Sequence, residues 1–158
     1  MADVELMNRG LKIGFLGFKI PEATADIYTA YKDVPFSAST LDLIGQAVAQ
    51  ALAPSIAPKT ANKQLRVRSI TATQPEILAV LEEATGKKWT VNEVDLDARV
   101  KEGEEKLQKG DFSGVGSLII GAVLDVEAGN NFDKTGDASN ALLELPDGDL
   151  KAIVKSVL

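Results

Sequence analysis

Hydrophobic and polar positions along the chain change between strand-like and helix-like periods, which predicts a mixed domain of the α/β class. Short apolar or alternating segments favour β-strands at residues 11–18, 23–28, 65–70 and 89–96. Apolar residues at helical spacing favour helices at residues 39–53, 73–86, 95–111, 112–125 and 144–158. Residues 33–39 and 55–64 read as loops. Because no linker interrupts residues 1–158, we expect one domain of short strands flanked by three to five helices.

The helix over residues 73–86 carries the strongest local signals. Thr73 and Glu76 have the spacing of a capping box, and Pro75 is tolerated in the first helical turn. Gly86 is a favourable helix terminator. The local sequence therefore predicts that this helix exists, where it begins and where it ends.

The preceding helix is predicted to begin near Ser39 and to end before Pro54. Ser39 is its expected N-cap, and Asp42 lies at its third position. Its apolar face, which we expect to be buried, consists of Leu41, Ile44, Val48 and Leu52.

The composition narrows the possible chemistry. The chain of 158 residues has a formal net charge of -6 and scattered basic residues, which disfavours nucleic acid as a partner. It contains no cysteine, so disulfides, thiol nucleophiles and thiolate metal sites are excluded. It contains no histidine, which removes the usual general base near neutral pH and any Ser-His-Asp triad. Any chemistry must use carboxylates, lysine, tyrosine, hydroxyls or backbone groups.

The sequence also bears on location. No apolar run reaches the ~20 residues that a membrane-spanning helix needs. The segment MADVELMNRG lacks the basic head and apolar stretch of a signal peptide. We therefore expect a cytoplasmic protein without a membrane partner.

Three glycines in GLKIGFLGF raise the question of a dinucleotide-binding loop. Such a loop follows a strand with the spacing G-x-G-x-x-G and opens a helix, whose amides reach the pyrophosphate. Here Gly10, Gly14 and Gly17 have the spacing G-x-x-x-G-x-x-G, and Pro21 interrupts any helix after them. We interpret the segment as a strand whose glycines let another backbone or a ligand come close.

Potentially reactive side chains have ordinary structural explanations. The carboxylates of Asp26, Asp33, Asp42 and Asp95 lie near element ends, where capping or solvation accounts for them. The polar segment GNNFD has too few carboxylates for a calcium loop, so no metal site is expected.

Two aromatic residues have an alternative to a purely structural role. Tyr28 and Lys32 have the Tyr-x-x-x-Lys spacing of some reductases, but they span a predicted strand end and loop, where they do not share a face. Phe112, close to Gly114 and Gly116, either lines a pocket or anchors the core.

Five segments in order resemble a known family: GLKIGFLGF, ATADIY, VPFSASTLDLIGQAV, TATQPEILAVLEEATGKKWTV and KGDFSGVG. From about Gly10 to Leu158 the chain resembles the C-terminal half of fungal NmrA-like proteins, the isoflavone-reductase-like atypical short-chain dehydrogenases. The resemblance implies the substrate-region half of a Rossmann-type protein. Such proteins bind NADPH and reduce small, often aromatic, metabolites.

The family's glycine-rich cofactor loop and catalytic lysine belong to its other half, which has no counterpart in this sequence. The resemblance therefore assigns no catalytic residue and no cofactor-binding residue here. It implies NADPH only if a partner supplies the Rossmann half. It does imply an apolar pocket wall, made by Phe15 and Phe18 of GFLGF and by Phe36 and Ser37 of the VPFS loop.

Three functions remain open at this point. The first is a cofactor-independent enzyme of the isomerase, cyclase or lyase type, or a binder, that acts on an apolar or aromatic metabolite. The second is an NAD(P)H-dependent oxidoreductase fragment or subunit that needs a separate Rossmann half. The third is a non-catalytic protein-interaction module. Because half of such a fold exposes an apolar face and an open strand edge, we expect a homo-oligomer or a partner protein.

Overall fold

The computed structural model describes Leu11, Gly14 and residues 16–158. Its five strands are β1 (Phe18–Lys19), β2 (Thr24–Tyr28), β3 (Phe36–Ala38), β4 (Ile70–Ala72) and β5 (Thr90–Val94). The described α-helices are α1 (Leu41–Ala51), α2 (Ala57–Thr60), α3 (Gln74–Thr85), α4 (Leu96–Gln108), α5 (Val115–Leu124), α6 (Phe132–Thr135) and α7 (Leu150–Lys155). Three 3-10 helices cover Thr29–Tyr31, Phe112–Gly114 and Val126–Ala128. The predicted mixed α and β class is confirmed.

Two small sheets organise these elements. In the first, of order β1-β2-β5, β1 runs antiparallel to β2 and β5 runs parallel to it. In the second, β3 and β4 pair in antiparallel fashion, with Phe36 opposite Ala72. A parallel pair requires a long crossover, and α1, α2, α3 and the whole second sheet lie between β2 and β5 in the sequence.

The main core lies around β2, which is buried from Ala25 to Tyr28. Helices α3, α5 and α7 contribute the buried side chains of Ile77, Leu124 and Val154. A second, smaller cluster lies under α1 and is built from Ala47, Ile56 and Leu143. The predicted final helix exists as α7 but is shorter than residues 144–158, because it begins only at Leu150; its apolar face lies in the main core.

Helix α3 has the boundaries that its local signals predict. The Thr73 hydroxyl accepts a hydrogen bond from the Glu76 amide, and the Glu76 carboxylate accepts one from the Thr73 amide. Gly86 adopts a left-handed φ of 64° after the last turn. The capping box and the glycine terminator are both confirmed.

Helix α1 begins later than predicted. Its N-cap is Thr40, whose Oγ1 accepts a hydrogen bond from the Leu43 amide. Ser39 was the wrong choice of cap because its hydroxyl instead donates to the Val67 carbonyl, 2.7 Å away. Ser39 and Thr40 are both suited to capping, and the contact of Ser39 with the distant Val67 leaves Thr40 as the cap.

The predicted buried face of α1 is wrong for Val48 and Leu52, whereas Leu41 and Ile44 are half-buried. Val48 is 57% exposed and Leu52 is 74% exposed, whereas Leu43 and Ala47 face the protein. The physical reason is the small second cluster, where Leu143 from far along the chain packs against α1. An apolar stripe through Val48 and Leu52 therefore faces solvent.

The strand predicted over residues 11–18 is wrong at most of its described positions. Leu11 is helical and Gly14 lies in a turn, so that β1 begins at Phe18. Gly17 has a φ of 91°, and its carbonyl accepts a 2.8 Å hydrogen bond from the Asp26 amide. A Cβ atom on Gly17 would collide with the Asp26 carbonyl oxygen. The expected close backbone approach is confirmed, and the segment leads into a strand instead of a helix.

Residues 33–39 contain strand β3, which corrects the prediction of a loop throughout. Conversely, residues 65–69 lie outside the strands, and β4 starts at Ile70. The physical reason is that a side chain takes the place of a partner strand there. The Asn140 side chain accepts from the Arg68 amide at 3.1 Å and donates to the Arg68 carbonyl at 2.8 Å.

Helix α4 packs tightly, through two glycines, against the 3-10 helix Phe112–Gly114 that leads into α5. A Cβ atom on Gly114 would lie 2.7 Å from the Gly103 Cα, and one on Gly103 would lie 2.8 Å from the Gly114 carbonyl oxygen. Backbone meets backbone at this crossing. Gly103 thus has a packing role in a helix that the charge pattern alone predicts to be solvent-exposed.

None of the helices in the described part of the chain has the length and apolar content that crossing a bilayer requires.

Candidate functional site

A cleft of about 440 Å³ lies between the segment before β3 and the segment after α5. One wall is formed by Asp33, Val34 and Pro35. The opposite wall includes Val123, Val126, Asn131 and Lys134. We call this the first cleft. Its volume lies within the range of pockets that bind small molecules, roughly 300–1,000 Å³.

Hydrogen bonds hold the two walls together. The Ser37 amide donates to the Asn130 carbonyl at 2.8 Å, and the Ser37 hydroxyl accepts from the Phe132 amide at 3.0 Å. The Asn130 side chain donates to the Ala122 carbonyl at the end of α5, 2.6 Å away. The VPFS loop and the GNNFD segment, which are far apart in sequence, thus meet at the first cleft.

A polar network behind the first cleft stiffens this junction. The Ser37 and Thr71 hydroxyls lie 2.9 Å apart. A hydrogen bond from Thr71, together with Arg68, outweighs the effect of burial and lowers the pKa of Asp133. Arg68 Nε donates to the Asp133 carboxylate at 2.6 Å and Arg68 NH1 donates to Asp147 at 3.0 Å. The network fixes β4 and α6 relative to each other.

The lining of the first cleft combines an apolar surface with a few polar groups. Val34, Pro35 and Val126 provide apolar contact, whereas Asn131 and Lys134 provide hydrogen-bonding groups. Such a combination suits a small, largely apolar molecule that carries one or two polar substituents. Among the described residues, no group of three or more His, Cys, Asp or Glu side chains is placed to hold a metal ion.

The residues predicted for the pocket lie in different places. Phe18 and Phe36 are buried in the main core, where Phe18 packs edge-on against Trp89. Ser37 supports the first cleft through the hydrogen bonds just described. Phe112 is 75% exposed, which makes it neither a core anchor nor part of the first cleft. Phe15 lies outside the described residues.

The VPFS loop does contribute to the first cleft, but through Val34 and Pro35. Phe36 begins β3, so its side chain turns into the core. The opposite wall was missed because nothing in the local sequence connects GNNFD with VPFS. The one local feature that could have indicated structure in this wall is Asn131, a residue type suited to capping. Its side chain accepts a hydrogen bond from the Lys134 amide and caps α6.

A second polar cluster surrounds Asp26 on β2. Asn92 of β5 donates to its carboxylate at 2.9 Å. Arg99 NH1 and Lys19 Nζ lie 3.4 Å and 3.6 Å from its Oδ2. Burial tends to raise the pKa of Asp26, but the Asn92 hydrogen bond and the two positive charges outweigh it and lower that pKa. The carboxylate therefore stays ionised and joins three elements.

Asp26 should make folding stability dependent on pH. Because folding lowers its pKa, the unfolded chain takes up the proton at a higher pH than the folded chain does. Its stabilisation is complete above about pH 4 and is lost as the pH falls through the lower pKa of the folded state. We expect Asp26→Asn to lower the free energy of unfolding by about 2 kcal/mol at neutral pH and by progressively less as the pH falls below about 4, measured by urea denaturation. The exposed Asp42→Asn should change it by less than about 0.5 kcal/mol throughout this range. A loss for Asp26→Asn that does not shrink as the pH falls would contradict this account.

Tyr28 and Lys32 do not form a reductase-like pair. The Tyr28 hydroxyl lies 3.4 Å from Arg99 NH1, and burial raises the pKa of Tyr28. Lys32 pairs instead with Asp33, at 3.2 Å. The expectation that the two residues do not share a face is confirmed.

The chain is similar to fungal proteins that are named as oxidoreductases. It is 30% identical over 144 residues to oxidoreductase aprR of Aspergillus flavus, covering 91% of this chain and 48% of that protein. It is 32% identical over 110 residues to oxidoreductase poxI of Penicillium oxalicum, covering 70% of this chain and 34% of that protein. The chain spans about half the length of the first relative and about a third of the second. No protein-family model and no solved structure matches it.

These similarities support an oxidoreductase-related ancestry for most of the chain. The narrower resemblance to NmrA-like proteins stays a prediction.

Proposed function

We propose that this chain binds a small apolar or aromatic metabolite in the first cleft, as the substrate-binding part of an NAD(P)H-dependent oxidoreductase. The observation that carries the binding proposal is the cleft itself, with a volume of about 440 Å³ and a mostly apolar lining held by the Ser37 and Asn130 hydrogen bonds. A preformed cleft of this size is suited to enclosing a single-ring or two-ring molecule.

The redox part of the proposal rests on the relatives. Two proteins named as oxidoreductases are similar to this chain over 91% and 70% of its residues, and the matched parts make up only 48% and 34% of those proteins. A region beyond the matched part could supply the nicotinamide cofactor. In this chain Gly17 of GFLGF serves a different purpose, because it makes room for the Asp26 carbonyl. We therefore propose that the chain alone has no NADPH site.

A ligand screen with a matched pair of variants tests the binding proposal. Neutral aromatic ketones and phenols should shift the backbone amide resonances of Val34, Val126 and Asn131 in two-dimensional NMR spectra. Val126 is 60% exposed and Val91 on β5 is 48% exposed, so tryptophan is sterically tolerable at either position. We expect Val126→Trp to fill the cleft and abolish these shifts, and Val91→Trp to leave them intact. Shifts that persist in Val126→Trp would refute the assignment of the cleft.

Calorimetric titration with NADPH tests the redox part separately. We expect no saturable heat from the chain alone at micromolar concentration. Saturable binding would overturn the proposal that the cofactor site lies elsewhere. Conversion of a bound ketone or phenol without NADPH would instead favour the isomerase, cyclase or lyase role.

We also expect the isolated chain to self-associate through the apolar stripe of α1. Val48 and Leu52 expose apolar surface to solvent. Exposed apolar surface of this kind is typical of a face that another protein chain covers. Sedimentation velocity at tens of micromolar should reveal a dimer, and Val48→Arg should dissociate it. Gln46→Arg adds the same charge on another side of α1 and should leave the dimer intact. A monomeric wild-type chain would contradict this expectation.

A further inference from the structure

Lys134, on α6, is a cation in the lining of the first cleft. Among the described residues its ammonium group has no ion-pair partner. The carboxylates that lie nearest to it in the sequence are bound elsewhere. Asp133 accepts from Arg68 at 2.6 Å, and Asp137 accepts from Arg66 at 2.8 Å. Both acids are thus paired with arginines and not with Lys134.

Asn131 adds a second unused donor to the same lining. Its side-chain oxygen accepts from the backbone amide of Lys134 at 3.0 Å and caps α6. Because that backbone N–H must donate, the oxygen end of the side chain is fixed toward the helix. Within the part of the chain that the structure describes, the NH2 end donates to no protein group. The first cleft is therefore lined by an ammonium group and an amide NH2 group whose donors are unused.

The two carboxylates of this lining do have partners. The Asp33 carboxylate pairs with Lys32 at 3.2 Å, which compensates its charge. The Asp125 carboxylate accepts from the Glu127 amide at 2.9 Å and caps the 3-10 helix Val126–Ala128. Of the charged side chains that line the first cleft, Lys134 is thus the one without a partner in the described residues.

We propose that the ligand of the first cleft carries a carboxylate that accepts hydrogen bonds from Lys134 and Asn131. Its apolar part would then contact Val34, Pro35 and Val126. A carboxylate has two oxygens and can accept from both donors at once, and hydrogen bonds between ionised partners are stronger than neutral ones. This inference rests on the proposed ligand-binding role of the first cleft and adds the class of ligand, an aromatic or aliphatic carboxylic acid.

Three probes with one carbon skeleton test the charge preference: 4-phenylbutyrate, its neutral amide 4-phenylbutanamide, and 4-phenylbutylamine. In NMR titrations of the whole chain at neutral pH, the acid should shift the backbone amides of Val34, Val126, Asn131 and Lys134. We expect the acid to bind about threefold more tightly than the neutral amide and about tenfold more tightly than the amine. Salt at about 0.5 M should reduce this preference because it screens exposed charges.

Two exposed lysines provide matched variants. Lys134 lines the first cleft, whereas Lys87, which also has no ion pair among the described residues, does not line it. Lys134→Gln should weaken binding of the acid about threefold and leave the neutral amide unaffected, and Lys87→Gln should affect neither probe. Lys134→Arg keeps the positive charge and should keep the preference for the acid. Equal effects of Lys134→Gln and Lys87→Gln on the acid would overturn the proposal.

Asn131→Asp tests the second donor. Aspartate caps a helix as well as asparagine does, so α6 should be retained, while a negative charge replaces the NH2 group. We expect binding of the acid to weaken about tenfold and binding of the neutral amide to change by less than about twofold. Asn62→Asp adds the same charge at an exposed position outside the first cleft and should leave both probes unaffected. Unchanged binding of the acid by Asn131→Asp would overturn the assigned site.

The outcomes separate this inference from the proposed function. Equal binding of the acid and the neutral amide, or a preference for the acid that persists in Lys134→Gln, would overturn the carboxylate proposal. Shifts of Val34 and Val126 by the neutral amide would still leave the first cleft as a binding site. If none of the probes shifts an amide of the first cleft up to its solubility limit, both proposals are contradicted.

Discussion

Replacing Gln74 with leucine is expected to lower the free energy of unfolding by about 4 kcal/mol, because three buried backbone groups lose their partner at once. The Gln74 side chain accepts from the Tyr28 amide at 3.0 Å and donates to the carbonyls of Leu16 and Asp26 at 3.1 Å and 3.2 Å. The Gln74 side chain thereby forms hydrogen bonds with the part of the β2 edge that lies beyond its pairing with β1. Leucine has a similar size but cannot form any of these bonds, so a cavity contributes little to the loss.

Urea denaturation followed by circular dichroism measures this effect. Gln46→Leu is the control, since Gln46 lies on the exposed side of α1 and bonds only to the Asp42 carboxylate there. It should change the free energy of unfolding by less than about 0.5 kcal/mol. A loss for Gln74→Leu of similar size would mean that β2 does not depend on this side chain.

Replacing Gly114 with alanine should lower the free energy of unfolding by about 2–3 kcal/mol, because the new methyl group would meet the backbone of Gly103. The Cβ would lie 2.7 Å from the Gly103 Cα and 2.9 Å from its carbonyl carbon. Backbone atoms cannot move aside as a flexible side chain can, so the α4–α5 crossing must open. Gly114 has an ordinary φ of -75°, which means that the loss would be steric and not conformational.

Gly116 offers a control two residues away. A Cβ there would meet nothing within 4 Å, and the residue lies in the first turns of α5. Gly116→Ala should therefore leave stability unchanged or raise it by up to about 1 kcal/mol, since alanine favours helix. Both variants can be compared by urea denaturation, and equal destabilisation by the two would refute a contact specific to Gly114.

Elements with self-contained signals could be predicted from the sequence. Helix α3 carries its start and end within its own residues, from Thr73 to Gly86. Helix α1 does not, because which of its faces is buried depends on Leu143, which belongs to another part of the chain. The same holds for Gly103, whose partner Gly114 is identifiable only once α4 and α5 are packed. Periodicity describes a helix, whereas its neighbours decide which side is covered.

The candidate site was predictable to a smaller extent. The VPFS loop lines the first cleft through Val34 and Pro35, whereas the residues predicted for a pocket wall there were Phe36 and Ser37. The aromatic residues Phe18 and Phe36 attracted attention because they are large and apolar, and the same property places them in the core. The contact between Ser37 and Asn130 joins residues too far apart in sequence for any local pattern to indicate it.

The parallel pairing of β2 with β5 has a consequence for how the chain folds during synthesis. Asp26 and its hydrogen-bond partner Asn92 are 66 residues apart in the sequence. Arg68 and its partner Asn140 are 72 residues apart. The first contact can therefore close only after Asn92 has left the ribosome, and the second only after Asn140 has. Contacts of such long sequence separation slow folding to milliseconds or longer. Until then, the backbone groups of Arg66, Arg68 and Ser69 that pair with Ser139, Asn140 and Gly148 have only water as a partner, so this segment is exposed to association with other chains during synthesis.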